Sequence, residues 1–266
     1  MSKHVDILAV HELLTITRSA YTPSEPGPVP HVHREHTDAF YVLDGQLRFR
    51  IGPSLDPVTA GPGTLIAVPP EIVHTFVAGD EGADFLNFHA PDGGFGAYMR
   101  REAEGFDSID TGEGEGRPAD GVVISHEGEG HVVAGGESEL RIKLRHGDGD
   151  SHLAVLLGTL APGFHGPPPH RHRAMVDCFF VADGTVTFDV EGEPRNAAAG
   201  ELVLVEPGTV HTFANTSDAP ARILNLFAPA GLDRYLLELT EVTAAGTELT
   251  PELMGQLASK YDFEPA

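Results

Sequence analysis

Basic side chains are scarce in this sequence. Its 266 residues carry 17 Lys and Arg against 40 Asp and Glu, a net charge of −23. Clustered positive charge is needed to neutralise phosphates, so DNA, RNA and anionic membranes are not expected partners. Cysteine is reduced to one residue, Cys178. That excludes an intramolecular disulfide framework and suits a reducing compartment. Long hydrophobic runs are also missing, since none approaches the ~20 residues of a membrane span. Residues Met1 to Val10 lack an apolar core of signal-peptide length and include Asp6, so the expected localisation is cytoplasmic.

Turn-forming residues, in contrast, are plentiful. The 31 Gly and 21 Pro make up about a fifth of the chain, which disfavours a helical bundle. Short apolar alternations between them favour an all-β sandwich or barrel. At roughly 150 residues per domain the length suggests two domains or one large β-rich one, and either buries a core without disulfides. Fifteen histidines are the other excess.

The histidines belong to a unit written twice. Residues 30–45 read PHVHREHTDAFYVLDG and residues 169–184 read PHRHRAMVDCFFVADG, which pairs His31 with His170, His33 with His172, Asp38 with Asp177 and Gly45 with Gly184. Further along, VHTF at 73–76 matches VHTF at 210–213, and Leu86-Asn87 matches Leu224-Asn225. The offset drifts only between 137 and 139 residues, so the chain is an internal duplication. Strands are expected at Ala39–Leu43, Gln46–Ile51, Thr64–Val68, Thr185–Val190 and Glu201–Val205. In the second of these Leu47, Phe49 and Ile51 alternate with Arg48 and Arg50. Helices are expected at Phe95–Glu104, Gly231–Glu241 and Pro251–Lys260, the last capped by Thr250. The implied organisation is a first domain at 1–104, an acidic Gly-rich surface linker at 105–121, and a second domain with a helical tail at 122–266.

Within each copy two histidines at i and i+2 face one way if they begin a strand. The Asp five residues later must re-enter on the next strand after a turn, and the third histidine arrives from a distant strand after a Pro. His31, His33, His74 and Asp38 thus form one candidate metal-ligand set, and His170, His172, His211 and Asp177 the other. Three neutral imidazoles and a carboxylate suit Fe, Mn, Ni, Co, Cu or Zn as the divalent ion, one per copy, with one or two coordination positions left open. Phe40, Phe76, Phe179 and Phe213 fall on the ligand-bearing faces and are expected to wall a substrate pocket, unless they are ordinary core. His36, in the turn between ligands, is expected to be solvated. His89 pairs with Phe227 and reads as core packing. His165 is a weaker candidate for the mouth of the second copy. Cys178 points away from the metal face and reads as a buried structural thiol.

The patterns His-x-His-x4-Asp-x6-Gly and Gly-x5 or x6-Pro-x3-His, each present twice, resemble the two motifs of the cupin superfamily. The chain is similar to a bicupin, most of all to those related to quercetin dioxygenase, over about residues 15–100 and 155–240. The resemblance implies an all-β fold of two tandem cupin β-barrels of jelly-roll type, with short helices after each barrel and at the C-terminus. It implies a metal-dependent dioxygenase acting on a small aromatic or enolisable hydroxy-carbonyl compound, with O2 as co-substrate and Asp38 or Asp177 as general base. Cupins also include O2-independent isomerases and lyases, and non-catalytic binding proteins, so fold alone does not choose among them. A small-molecule partner is expected, in a monomer or homodimer. Two departures from the family pattern stand out. Its usual Glu is Asp in both copies, shorter by one methylene, and either reaches the ion or binds it through water. Glu71 stands where the second copy has Gly208.

Overall fold

Alternation of apolar and polar side chains sets the strands. In the strand Thr37–Ile51, Leu47, Phe49 and Ile51 are buried while Arg48 and Arg50 are exposed. In Thr185–Val190, Val186 and Phe188 are buried between partly exposed Thr187 and Asp189. The computed structural model describes residues 3–112, 114–133, 138–150 and 152–266. Met1, Ser2, Glu113, 134–137 and Ser151, within the expected domains and linker, lie outside the described residues.

The chain divides into two units, Met1–Glu129 with Gly147–His152, and Gly130–His146 with Leu153–Ala266. In the first unit, Thr37–Ile51 runs antiparallel to His74–Ala90, from Thr37 opposite Ala90 to Ile51 opposite His74. Register shifts between Val42 and Asp44 and between Gly45 and Leu47 interrupt this ladder, and such bulges bend a strand. The two strands therefore serve two layers. One layer adds His4–His11, Leu14–Tyr21, Leu65–Val68 and Val123–Ser125, and the other adds Asp56–Ala60, His31–Val32 and Ile109–Asp110. In the second unit the same layers are separate sheets of six and five strands, because the chain breaks at Gly184 and between Ala214 and Ala221.

Gly45 and Gly184, paired in the sequence repeat, both have positive φ, 71° and 76°. A Cβ on Gly45 would stand 2.3 Å from the carbonyl oxygen of Gly82, so only glycine fits this bend. The two units are thus tandem jelly rolls, mostly β, whose sheets do not close into continuous barrels.

Three helices follow the strands as expected, with shifted ends. The first is shorter than expected, Phe95–Met99, and is followed by Arg101 in the left-handed region. The second, Leu232–Ala244, runs three residues past Glu241, while the third, Pro251–Ala258, is capped by the Thr250 side chain accepting from the amide of Leu253. Among the described residues no helix is long and apolar enough to cross a membrane.

The acidic stretch at 105–121 differs from the linker its composition suggests. It packs on the first unit: Ile109 and Asp110 pair with Val32 and His31, and the amide of Arg117 donates to the carbonyl of Glu71. Backbone pairing holds this segment, and a backbone ladder asks little of the side chains.

Each unit buries its own core. Phe40, Phe49, Phe76 and Phe85 centre the first. Phe179, Phe188 and Phe213 centre one cluster of the second, and Phe227, Tyr235 and Phe263 centre another.

Candidate metal centres

Strand pairing brings the ligands together. His31 lies directly opposite His74, and His170 directly opposite His211. The strands at the first histidines span only two residues, so His33 and His172 sit just beyond them. The chain then turns, and Asp38 and Asp177 return on the strands Thr37–Ile51 and Val176–Asp183. In each set of four the ligand atoms lie within 4.8 Å of one another, and every residue is buried.

Every ligand imidazole is fixed through Nδ1. In the first unit Nδ1 of His31, His33 and His74 donates to the carbonyls of Val29, Asp107 and Ile72. In the second, Nδ1 of His170, His172 and His211 donates to those of Pro168, Asp262 and Thr209. A carbonyl only accepts, so the neutral rings carry their proton on Nδ1 and present the Nε2 lone pair to the centre. Nε2 of His33 and His172 are buried without a hydrogen-bond partner, 3.4 and 3.5 Å from the carboxylates of Asp38 and Asp177. His74 and His211 bring Nε2 to 3.1 Å from the same Oδ2 atoms. Lone pairs converging on a carboxylate repel unless a cation lies among them, so both sets fit a divalent metal.

Electrostatics carry the same pattern. Burial, then the neighbouring imidazoles, pushes His31 down to about 3 and His170 down to about 4. Burial also opposes protonation of His33 and His172, but the adjacent Asp38 and Asp177 outweigh it and raise both. Burial alone would raise the two carboxyls. Instead His89, His33 and His74 hold Asp38 well below the usual range, while His172 and His211 bring Asp177 to about 2.

Several residues around the centres escape a motif reading. Asn87 and Asn225 donate from Nδ2 to Oδ1 of Asp38 and Asp177. The carboxylate of Asp107 accepts the amides of Arg34 and Glu35, and that of Asp262 accepts the amides of Arg173, Ala174 and Met175. The repeated pair Leu86-Asn87 and Leu224-Asn225, used above only as a mark of the duplication, is the signal that could have identified the asparagines. Nothing in the repeat pointed to Asp107 or Asp262.

His36 is buried, not solvated. Its Nδ1 lies 3.0 Å from the Asp107 carboxylate and its Nε2 2.8 Å from Nδ1 of His89. Packing of the segment after Met99 covers the turn and supplies Asp107, which a reading of the turn as exposed omits. His89 in turn stacks on Phe95 at 3.6 Å and meets Oδ1 of Asn87 at 3.0 Å. It is a polar member of the site wall as well as part of the packing. His165 is exposed, and Cys178 is fully buried as a free thiol that burial pushes far up.

A cavity of about 490 Å³ opens onto the first set. His31, His33, Asp38, Asn87 and His89 form its polar floor, and Phe40, Phe76, Phe85 and Phe106 its aromatic wall. Lys3 supplies a cation to the lining. Phe179 and Phe213 pack 5.1 Å apart in the core of the second unit.

The cupin domain model matches residues 18–89 and again 156–227. In solved structures the chain is similar to oxalate decarboxylase from Bacillus subtilis, with TM-score 0.57 and 17% identity over 96% of this chain and 80% of that one. Lactobacillus farciminis oxalate decarboxylase gives TM-score 0.58 and 14% identity over 92% and 87%. The protein YlbA from E. coli gives TM-score 0.62 and 11% identity over 84% and 81%. At these identities the likeness is one of fold. Among curated proteins, the HTH-type transcriptional regulator PuuR of Escherichia coli (strain K12) is 26% identical over 109 residues, 41% of this chain. The matched stretch spans 57% of that regulator's length. With two matched domains and one His3Asp set in each, the chain belongs to the cupin family and is a bicupin.

Proposed function

We propose that the protein is a metal-dependent oxygenase, resembling quercetin dioxygenase, that acts in its first domain on a small aromatic or enolisable hydroxy-carbonyl compound. The observation that carries this reading is the aromatic cavity ending on His31, His33 and Asp38. Its walls suit a planar, largely apolar substrate. Lys3 is the one Lys or Arg among the described lining residues, which argues against a small dianion such as oxalate.

A divalent metal held by His31, His33, His74 and Asp38 would supply Lewis-acid polarisation of a substrate oxygen and a template for O2 and substrate. The protein's own groups do the rest. Asp38 lines the cavity and would accept the proton of a substrate hydroxyl made acidic by the bound metal, which its lowered carboxyl requires. Asn87 fixes its carboxylate through Oδ1 and leaves Oδ2 towards the centre. Phe40, Phe76, Phe85 and Phe106 exclude water and hold an aromatic ring by its faces and edges.

The test is O2 consumption by metal-loaded protein with a panel of flavonols and simpler 2-hydroxy-enones. Uptake of one O2 per substrate consumed, lost in His31→Ala, is expected. Protein that keeps its metal, takes up no O2 and converts such compounds without air would be an isomerase or lyase. Protein that binds them unchanged would be a binding protein.

A further inference from the structure

The two centres share their ligands, yet they differ in what lies over them. In each unit a late segment returns to pair beside the first histidine. Asp110 stands opposite His31, and Pro265 stands opposite His170. Counting back two residues from each pairing makes Ser108 and Phe263 equivalent. Ser108 lines the cavity of the first unit. Phe263 lies flat on the His170 ring, with centroids 4.4 Å apart and planes at 17°. On its other neighbours it stacks against Tyr235 at 5.1 Å.

The surrounding positions change in the same sense. Strand register makes Thr17 and Leu156 equivalent, since they face Asn87 and Asn225 respectively. The sequence repeat pairs His36 with Met175 and His89 with Phe227. Thus three polar positions at the first centre become Leu156, Met175 and Phe227 at the second. These three join Leu232, Tyr235, Leu257 and Phe263 in one buried apolar cluster. Among the described residues, positions beside the cavity of the first unit are packed side chains in the second.

We propose that Phe263 and the C-terminal segment seal the second centre, so that only the first centre takes an exogenous ligand and the second holds its metal as a closed site. This rests on both centres binding metal and not on the oxygenase reading. A chain with no O2 chemistry still shows the asymmetry.

The experiment uses the full chain loaded with Co(II), whose visible spectrum responds to coordination, and azide as the probe ligand. The wild type should hold two Co(II) per chain, with azide altering the absorption of one. His170→Ala, retaining the first centre, should bind azide as the wild type does. His31→Ala, retaining the second, should hold one Co(II) and give no azide response. Adding Phe263→Ala to His31→Ala should create that response. An azide response in His31→Ala itself, a His31→Ala chain without Co(II), or a folded, loaded double variant still blind to azide would overturn the proposal.

Should the double variant lose its cobalt, extraction from the wild type by a chelator decides the question. Two phases separated at least tenfold are expected, with the slow one missing in His170→Ala and accelerated in Phe263→Leu. A single phase, or a slow phase indifferent to Phe263→Leu, would overturn it.

Discussion

Asn87 donates to the carboxylate of Asp38 through Nδ2, and the same amide group also donates to the carbonyl of Ala39. Asn225 repeats both bonds with Asp177 and the carbonyl of Cys178. Each asparagine therefore locks the carboxylate to the neighbouring strand and occupies the oxygen turned away from the three imidazoles of its own set. Asp, one methylene shorter than the Glu usual in the family, has less freedom to find the ion by itself, and this bond supplies its aim. Asn87→Ala is expected to weaken metal binding at the first centre by about 10- to 100-fold, the usual range for loss of a ligand's orienting partner. The second centre should be untouched. Competition against a chelator in a His170→Ala background measures it, and an unchanged affinity would show that Asp38 is held without Asn87.

Asp107 and Asp262 act one step further out. The Asp107 carbonyl accepts from His33, and its carboxylate caps the turn that carries the chain from His33 to Asp38. The amides of Arg34 and Glu35, with His36, hold this carboxyl below its usual range although burial pulls it up. Asp107→Ala removes charge-assisted bonds of roughly 1.5–3 kcal/mol and leaves amides of the turn short of an acceptor. A loss of about 2 kcal/mol in unfolding free energy is expected, read from denaturant midpoints. Metal should be lost from the first centre while the second stays loaded. Asp262→Ala should do the reverse. Loss of metal from both centres in either variant would mean that the carboxylates support something other than their own turn.

These carboxylates lie outside anything the sequence makes legible. The two candidate ligand sets were legible because metal chemistry demands a fixed set of side chains at a fixed spacing, and the duplication repeated that set. The strands were legible from alternation, as at Leu47, Phe49 and Ile51. The return of 105–121 onto the first unit was not. Ile109 and Asp110 enter the sheet through backbone bonds, for which an acidic, Gly-rich composition gives no sign. His36 followed from that omission: without Asp107 beside it, a histidine in a turn reads as solvated. The sealing of the second centre was hidden as well, because Phe263 lies 52 residues beyond His211 and outside the repeated motifs.

Protonation of the buried histidines sets the acid limit of the metal-free protein. His31 and His170 are pushed down to about 3 and about 4 in the folded chain, while the unfolded chain takes up both protons near 6.5. Between those values the unfolded state binds more protons, so stability falls as pH falls from 6.5 towards 4. His33 and His172 are raised, and the stability they add is already complete below 6.5. Asp177, brought to about 2, keeps its contribution until the pH drops below about 3.8. Nothing among these ligands offsets the loss between 6.5 and 4. Chelator-treated protein should therefore have its highest denaturant midpoint near pH 6.5 and lose several kcal/mol by pH 4, at up to about 1.4 kcal/mol per pH unit for each buried histidine. The double variant His31→Gln/His170→Gln should reduce this slope, and the remainder belongs to His36, pushed by burial down to about 4, and His89, pushed by burial well below its usual value. A slope left unchanged in the double variant would place the titration elsewhere.

Glu71 adopts φ 67°, a left-handed conformation that the second copy gives to Gly208 at φ 86°. Both turns make the same contact: the amide of Glu71 donates to the carbonyl of His33 at 2.6 Å, and that of Gly208 to the carbonyl of His172 at 2.6 Å. The turn thereby ties the second ligand of each motif to the approach of the third, so its shape is fixed by the centre and not by the residue that fills it. A side chain with a Cβ is strained there by roughly 1–2 kcal/mol. Glycine escapes the strain but loses more backbone entropy on folding, by about 0.5–1 kcal/mol. Glu71 is exposed, so its removal uncovers no core. Glu71→Gly is expected to stabilise the chain by about 0.5–1 kcal/mol with metal affinity unchanged, as measured by denaturant unfolding and chelator competition. A destabilised variant would mean that the Glu71 side chain, and not only its backbone, holds the turn.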